Sequence, residues 1–121
     1  MIYKAECYKI IGCCMEVHNE LGFGLLEAIY QEALAVELSL RNIPFKKEAP
    51  LTCHYKNQEL MKKYFADFIC YNKIILEIKA VSELDDSHFS QILNYLNITN
   101  SKLGLLINFG SDTLEYRRVI V

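Results

Sequence analysis

The spacing of apolar residues changes twice along the chain. Over residues 4–21 apolar side chains recur every three or four positions, which predicts an amphipathic helix. Gly22 interrupts this pattern, because glycine readily adopts the conformations that end a helix. A second helical pattern covers residues 25–41 and stops before Pro44. The first part of the chain is therefore predicted to form two helices.

Beyond Pro44, apolar residues follow a period of two, which is typical of β-strands. One further helical pattern covers residues 84–98, with acidic and serine side chains near its beginning that suit a helix N-terminus. Asn72 and Lys73 are predicted to form a tight turn between the second and third strands. The five predicted strands cover Phe45–Tyr55 with a bend at Pro50, residues 60–71, Ile74–Ala80, Leu103–Asn108 and Leu114–Val121.

The resulting element order is α-α-β-β-β-α-β-β. Three consecutive strands form an antiparallel meander, and the last helix crosses over to a further strand. This order predicts an α/β fold with a mixed sheet flanked by helices. A chain of 121 residues is expected to form a single domain, 1–121. Its apolar content of 52% is sufficient for a core and excludes an intrinsically disordered chain.

The charge balance limits how the chain can meet nucleic acid. Thirteen basic and fifteen acidic residues give a formal net charge of −2, so no global positive field attracts a polyanion. Contact with nucleic acid would therefore require a local basic patch. Pairs of neighbouring basic residues in predicted strands either hold a phosphate backbone or line a solvated sheet edge: Lys46 and Lys47, Lys62 and Lys63, Arg117 and Arg118.

Neither a signal peptide nor a membrane span is expected. The first residues lack a charged start followed by a long apolar run, and no apolar stretch is long enough to cross a bilayer. A cytoplasmic protein without a membrane partner is the expectation. The five cysteines form no C-x-x-C pair, which indicates free and mostly buried thiols, with a cysteine metal site or redox pair as the alternative.

Three charged residues interrupt two strands that are otherwise apolar: Asp67, Glu77 and Lys79. Asp67 lies five residues before the predicted turn and Glu77 four residues after it, so the hairpin can bring them together. Glu77 and Lys79 share one face of their strand. Two carboxylates beside an ammonium suit Mg²⁺ and the hydrolysis of a phosphodiester. The alternative is a Glu77–Lys79 ion pair at the sheet edge with a solvated Asp67.

The pattern Asp67-x9-Glu77-x-Lys79 resembles the core of the PD-(D/E)XK nuclease superfamily. The proline of the superfamily name is absent, because Ala66 precedes Asp67. A late apolar segment, residues 103–110, is similar to the late strand of this superfamily.

Two further motifs strengthen the resemblance, which covers nearly the whole chain. Gly24-Leu-Leu-Glu27-Ala-Ile-Tyr30 is similar to G-x-x-E-x-x-Y, the motif of the GxxExxY family of small bacterial and archaeal proteins. Gln91-Ile-Leu-Asn-Tyr95 resembles the Q-x-x-x-Y motif of RecB-like and phage-lambda-exonuclease-like members.

The resemblance implies a restriction-endonuclease-like αβββαβ core, here with an extra N-terminal helix and a C-terminal strand. It also implies a metal site for Mg²⁺ or Mn²⁺, in which Asp67 and Glu77 are ligands and Glu27 is a third ligand or holds a water. Lys79 would assist the attacking water. Gln91 and Tyr95, one helical turn apart, would orient the site or contact a substrate phosphate.

Each supporting residue also has a structural interpretation. Glu27 suits the first turn of a helix, where the helix dipole favours a carboxylate. Tyr30 is expected in the core rather than at a substrate, and Tyr95 can simply pack with its hydroxyl bonded nearby. Gln91 needs hydrogen-bond partners if its face of the helix is buried.

Two functions from different classes follow from these expectations. The first is a Mg²⁺-dependent nuclease that hydrolyses DNA or another nucleic acid through a metal-activated water. The second is a non-catalytic binding or regulatory module on a nuclease-like fold, which acts through a homodimer or a partner protein. The cysteines lack the spacing of superfamily members that hold an iron–sulfur cluster, so a cysteine-based metal protein is disfavoured.

Overall fold

The computed structural model describes residues 1–121 and contains three α-helices and five β-strands. Their order, α-α-β-β-β-α-β-β, confirms the predicted order, and the bounds differ from the predicted ones by a few residues at most. The elements are α1 Lys4–Leu21, α2 Glu27–Leu40, β1 Phe45–Tyr55, β2 Gln58–Cys70, β3 Ile74–Lys79, α3 Asp86–Thr99, β4 Leu103–Asn108 and β5 Glu115–Ile120.

The strands form one sheet in the order β1-β2-β3-β4-β5. All neighbours pair antiparallel except β3 and β4, which run parallel because α3 connects them as a crossover. The predicted mixed sheet is therefore confirmed. None of the three helices is long and apolar enough to cross a membrane.

Helices cover both faces of the sheet and create two apolar clusters. The larger cluster packs α1 and α2 against one face and includes Ile74, Leu76 and Ile78 of β3. The smaller cluster packs α3 against the other face and includes Ile75 of the same strand. By alternation along β3, Glu77 and Lys79 share the face of Ile75. They therefore lie on the side of the sheet that α3 covers.

The cysteines are part of this packing. None of the five forms a disulfide, and four of them are buried. Cys7, Cys13 and Cys14 of α1 and Cys70 of β2 all belong to the larger apolar cluster. These positions confirm the expectation of buried thiols that act as small apolar side chains.

Strand β2 separates from β3 at Asp67. It pairs with β3 only through Phe68, Ile69 and Cys70, although the same register would place Asp67 opposite Glu77. The pairing of β1 with β2 is also interrupted beside Asp67, where Glu48 has a φ of 52° in the left-handed region. The sheet is thus distorted on both sides of Asp67.

This distortion overturns part of the predicted alternation in β2. Tyr64 and Ala66 are predicted to share a face with Phe68 and Cys70. In the structure Phe68 and Cys70 pack in the cluster beneath α1 and α2, whereas Ala66 and Tyr64 pack in the cluster beneath α3. The strand crosses from one cluster to the other at Asp67, and a pattern of period two cannot show such a crossing.

Two smaller predictions about the hairpins are also wrong. The predicted bend at Pro50 is absent, because Pro50 pairs in register with Phe65. The lack of an N–H is tolerated there because β1 is an edge strand. The turn before β3 centres on Tyr71 and Asn72, which both have positive φ, and Lys73 donates its N–H to the Cys70 carbonyl. The turn therefore lies one residue earlier than predicted.

Candidate active site

Asp67 and Glu77 meet where β2 and β3 part. The backbone N–H of Asp67 donates to Oε2 of Glu77 over 2.8 Å. The backbone N–H of Ile78 donates to Oδ2 of Asp67 over 2.7 Å. The two carboxylates thus bond to main-chain groups that the ladder between the strands no longer pairs. Buried N–H groups need such partners, so the separation of the strands is stable only with acceptor side chains at these positions.

Each carboxylate keeps one oxygen without a hydrogen bond. Only Oδ2 of Asp67 and Oε2 of Glu77 are engaged by the protein. Glu77 is only 3% exposed. The single buried side-chain nitrogen or oxygen that lacks a partner is Nε of Arg118. Since Oε1 of Glu77 has no partner either, it must reach solvent. Two carboxylate oxygens are therefore available to a ligand in an otherwise dry place.

Burial and mutual repulsion disfavour the charges of this pair. Burial, and after it the charge of the neighbouring Asp67 carboxylate, raises the pKa of Glu77 to about 8. Burial also raises the pKa of Asp67, against the opposing effect of the N–H of Ile78. The charge of Glu27 raises both pKa values and that of Lys79 lowers them. An added cation between the carboxylates would relieve this electrostatic cost.

Lys79 is held by α3 and not by a carboxylate. Its Nζ donates to Oε1 of Gln91 over 2.8 Å, and it forms no ion pair with Glu77 or Asp67. The alternative of a Glu77–Lys79 ion pair is therefore wrong. Gln91 in turn donates through Nε2 to the hydroxyl of Tyr95 over 3.2 Å. A chain of hydrogen bonds thus runs from α3 to the ammonium.

Tyr95 is buried beside the carboxylates. Burial raises its pKa, and the charges of Glu77 and Asp67 add to this effect. Its ring lies 5.7 Å from that of Tyr64, centroid to centroid. The predicted residues Asp67, Glu77 and Lys79 therefore lie at the sheet face that α3 covers, and Gln91 and Tyr95 lie on α3 itself.

Glu27 lies on a different element from the other predicted metal ligands. It is the first residue of α2, is exposed, and forms no hydrogen bond or ion pair with another side chain. Its charge contributes to the raised pKa of both Asp67 and Glu77. Helix α2 begins two residues later than predicted.

Tyr30 is a core residue, as its structural interpretation stated. It is fully buried and stacks on Phe109 with ring centroids 4.8 Å apart. Its hydroxyl donates to the carbonyl of Gly22 over 2.7 Å and accepts the N–H of Leu25 over 3.2 Å. Gly24 between them has a φ of 99°, which favours glycine. Tyr30 and Gly24 thus shape the loop that leads into Glu27.

Glu48 is a residue that the sequence did not indicate. It lies opposite Asp67 where the β1–β2 pairing is interrupted, and its charge also raises the pKa of Asp67. In the sequence it resembles any exposed charge between Lys47 and Ala49. Its position opposite Asp67 follows only from the register of the β1–β2 hairpin, and its left-handed φ has no signal in the sequence.

The donor set suits a hard divalent cation. No three His, Cys, Asp or Glu side chains form a ready-made group of ligands. The two free carboxylate oxygens of Asp67 and Glu77 match a cation such as Mg²⁺, which binds few carboxylates and keeps several waters. The residues present therefore fit the metal that the fold family implies.

Comparisons with known proteins identify the fold and the superfamily of the chain. No curated protein matches the chain significantly in sequence. A solved structure titled "Crystal structure of SSO0001" is similar in fold, with a TM-score of 0.64 and 19% sequence identity. The match covers 98% of this chain but 60% of that one, so this chain spans less than two-thirds of that protein. The fold is restriction-endonuclease-like, with an additional N-terminal helix and C-terminal strand. A family model of nucleases matches residues 4–119, and the chain belongs to the PD-(D/E)XK nuclease superfamily.

Proposed function

We propose that this protein is a Mg²⁺- or Mn²⁺-dependent nuclease that hydrolyses phosphodiester bonds of DNA. The observation that carries the proposal is the pair of crossed carboxylates, each with a free oxygen, beside an ammonium on the same sheet face. Burying charged groups in this way costs desolvation free energy, which supports a functional role for them. Membership in the nuclease superfamily supports phosphodiester hydrolysis as the reaction.

Asp67 and Glu77 would hold the cation through their free oxygens, with Glu27 as a third ligand or as the acceptor of a water. A bound divalent cation lowers the pKa of water and stabilises negative charge on a phosphoryl oxygen. The hydrogen bonds to the main chain fix both carboxylates, so the cation would meet a rigid pair rather than two mobile side chains.

Lys79 would orient the attacking water and stabilise the charge that develops on the phosphate. Gln91 is a positioning residue, because its Oε1 accepts from the ammonium while its Nε2 donates to Tyr95. Tyr95 is buried and anchors this amide. The ammonium is thereby kept on the carboxylate side of the sheet and is not drawn into an ion pair.

We further propose that the protein is a member of the GxxExxY group. This proposal is supported by the positions of Gly24, Glu27 and Tyr30, which all belong to the loop before α2 or to the first turn of that helix. Tyr30 binds the ends of the loop around Gly24, and Glu27 follows as the start of α2. The motif thus serves to place one carboxylate.

Free thiols support a cytoplasmic location, and a single sheet shared by both apolar clusters supports one domain over 1–121.

The test is calorimetric Mg²⁺ and Mn²⁺ binding, followed by cleavage of labelled single- and double-stranded DNA and RNA. Glu77→Ala and Asp67→Asn should abolish both metal binding and cleavage. Glu20→Ala, at an exposed carboxylate of α1, is the matched control and should retain both. Cleavage that persists in Glu77→Ala would show that the nuclease activity does not reside in this site.

An apolar groove favours the second candidate function, a module that self-associates. The groove lies between α1 and β5, has a volume of about 520 Å³ and is lined largely by apolar side chains. Tyr8 at its rim is 80% exposed. A homodimer in light scattering that Tyr8→Asp disrupts, together with absent cleavage, would favour this function over the nuclease.

A further inference from the structure

Beyond Asp67, β1 and β2 continue as a two-stranded ribbon. Strand β2 has no pairing with β3 before Phe68, so residues 49–66 pair only with one another and form what we call the arm. Its base is anchored, since Leu51 and Ala66 are buried beneath α3. Its tip is free, because every residue from 54 to 63 is exposed.

The arm carries positive charge in an otherwise acidic chain. Lys56, Lys62 and Lys63 lie in it with a single acidic residue, Glu59. The remainder of the chain holds ten basic and fourteen acidic residues, so the formal charges are +2 for the arm and −4 for the rest. The formal charge of the arm therefore favours the approach of a polyanion, whereas the net charge of the remainder opposes it.

The arm is continuous with the carboxylate site. Nζ of Lys62 lies 5.6 Å from the ring centroid of Tyr64, and that ring packs beside Tyr95. Tyr95 connects through Gln91 to Lys79. Cationic and polar groups thus extend from the exposed tip to the ammonium next to Asp67 and Glu77. A strand bound at the carboxylates could contact this whole line.

The basic pair on the opposite edge strand, β5, is not equally free. Arg118 donates to the carbonyl of Ile2 over 2.7 Å and is partly buried. Arg117 donates to the carbonyl of Tyr116. The lysines of the arm, in contrast, form no ion pair. They can therefore exchange their counterions for phosphates without breaking an ion pair within the protein.

The tip also exposes apolar side chains that a purely solvated ribbon would not need. Met61 is 98% exposed and Tyr55 is 63% exposed. Such side chains contact base edges or thymine methyl groups when they enter a groove. The ribbon has the right dimensions, because two paired strands fit the major groove of B-form DNA, which is about 12 Å wide.

We propose that the arm is a DNA-docking element whose tip enters the major groove of a duplex beside the phosphate at the carboxylate site. Lys56, Lys62 and Lys63 contact phosphates, and Met61 and Tyr55 contact the groove. The inference rests on the proposed function for the identity of the polyanion, but it concerns binding and not cleavage. The two can therefore fail separately.

The test is fluorescence anisotropy with the full chain in EDTA, where cleavage does not occur. The probe is a labelled DNA duplex of about 20 bp, or two helical turns, and a double-stranded RNA of the same length is the comparison. Lys56, Lys62 and Lys63 are changed together to Ala. The matched control changes Lys4, Lys9 and Lys102 to Ala, three exposed lysines outside the arm with the same total charge.

The arm variant should bind the DNA at least about tenfold more weakly, and the slope of log K against log salt should fall by about 3, one per phosphate contact. The control should stay within about twofold of wild type with an unchanged slope. Wild type should bind the RNA duplex more weakly, because its deep, narrow major groove does not admit the ribbon. Equal losses in both triple variants, or arm-dependent binding as strong on RNA, would overturn the proposal.

A second measurement does not depend on the fold of a variant. Amide hydrogen exchange of the wild-type protein should slow over residues 54–63 when the DNA duplex is added, and should not change in α1. DNA binding without protection of the arm would contradict the proposal. So would an arm variant that changes only self-association in light scattering, since the arm would then be an interface between copies.

The failures of the two proposals are distinguishable. Metal-dependent cleavage with arm-independent DNA binding would leave the nuclease function standing and remove the arm from it. Arm-dependent DNA binding without cleavage under any metal would keep the arm proposal and remove the catalytic one.

Discussion

Asp67 and Glu77 each accept a hydrogen bond from the main chain of the other's strand. The N–H of Asp67 reaches Glu77 Oε2 and the N–H of Ile78 reaches Asp67 Oδ2, over 2.8 and 2.7 Å. The acidic pair therefore has two effects. It supplies hydrogen-bond acceptors to main-chain N–H groups where β2 and β3 separate, and it leaves one oxygen of each carboxylate without a hydrogen bond there.

The first prediction concerns stability and pH in the absence of metal. Burial raises the pKa of Glu77 from 4.5 to about 8, so the folded protein keeps a proton that the unfolded chain releases between these values. The contribution of Glu77 to stability is therefore full below about pH 4.5 and is lost as the pH rises toward 8. Asp67, whose pKa is also raised, acts in the same direction.

Urea unfolding in EDTA at about pH 5 and about pH 8 should show wild type less stable at the higher pH. Glu77→Gln should reduce this difference, because the amide cannot ionise. Glu20→Gln, at an exposed site, should keep it. An unchanged pH dependence in Glu77→Gln would show that another group is responsible.

The second prediction separates positioning from metal binding. Gln91→Ala should lower the cleavage rate by about 10- to 100-fold, because Lys79 loses the acceptor that holds it. Mg²⁺ affinity measured by calorimetry should remain that of wild type, since Gln91 contacts neither carboxylate. Asn94→Ala, an exposed change on the same helix, should alter neither quantity. A large loss of Mg²⁺ affinity in Gln91→Ala would place the amide in the metal site instead.

The third prediction tests the loop before Glu27. Tyr30→Phe removes a hydroxyl that bonds to Gly22 and Leu25, and should cost about 1–3 kcal/mol in the free energy of unfolding. It should also weaken Mg²⁺ binding, because the loop that places Glu27 loses its anchor. Tyr8→Phe is the control, since Tyr8 is exposed and its hydroxyl bonds to nothing in the protein. Unchanged metal binding in a destabilised Tyr30→Phe would confine Tyr30 to the core.

The fourth prediction concerns the close crossing of the loops that follow β3 and β4. A Cβ on Gly110 would clash with the carbonyl oxygen of Val81, a backbone atom that cannot move aside as a flexible side chain can. Gly110→Ala should therefore destabilise the protein by about 1–3 kcal/mol or more in urea unfolding. Gly12→Ala is the control, because its Cβ would meet only the flexible end of Arg41 at 3.3 Å. Equal stability of the two variants would refute this steric account.

Much of the fold could be predicted because the spacing of apolar residues along most helices and strands reflects which of their faces are buried. Strand β3 shows the principle: Ile74, Leu76 and Ile78 alternate with Ile75 and Glu77, and both faces are covered by helices. The charged residues were informative for the same reason. A carboxylate in a buried strand has a high desolvation cost, so Glu77 is conspicuous in the sequence.

The parts that could not be predicted depend on relations between strands. The crossing of β2 from one cluster to the other at Asp67 follows from the interrupted pairing with Glu48 and the loss of pairing with β3. Neither event alters the local pattern of apolar residues. For the same reason the sequence does not indicate the hydrogen bond between Lys79 and Gln91, since Gln91 comes close only through the packing of α3 on the sheet.

Because β2 separates from β3 at Asp67, the end of the hairpin beyond Asp67 can differ in sequence and length without affecting the rest of the sheet. No main-chain bond joins that ribbon to β3, so the length and side chains of its exposed tip, residues 54–63, can vary without disturbing the hydrogen bonds of Asp67 and Glu77. Selection, or a designer, can therefore place a different ribbon beside the same pair of carboxylates, and under the proposed nuclease function this would change what is recognised but not the hydrolytic chemistry.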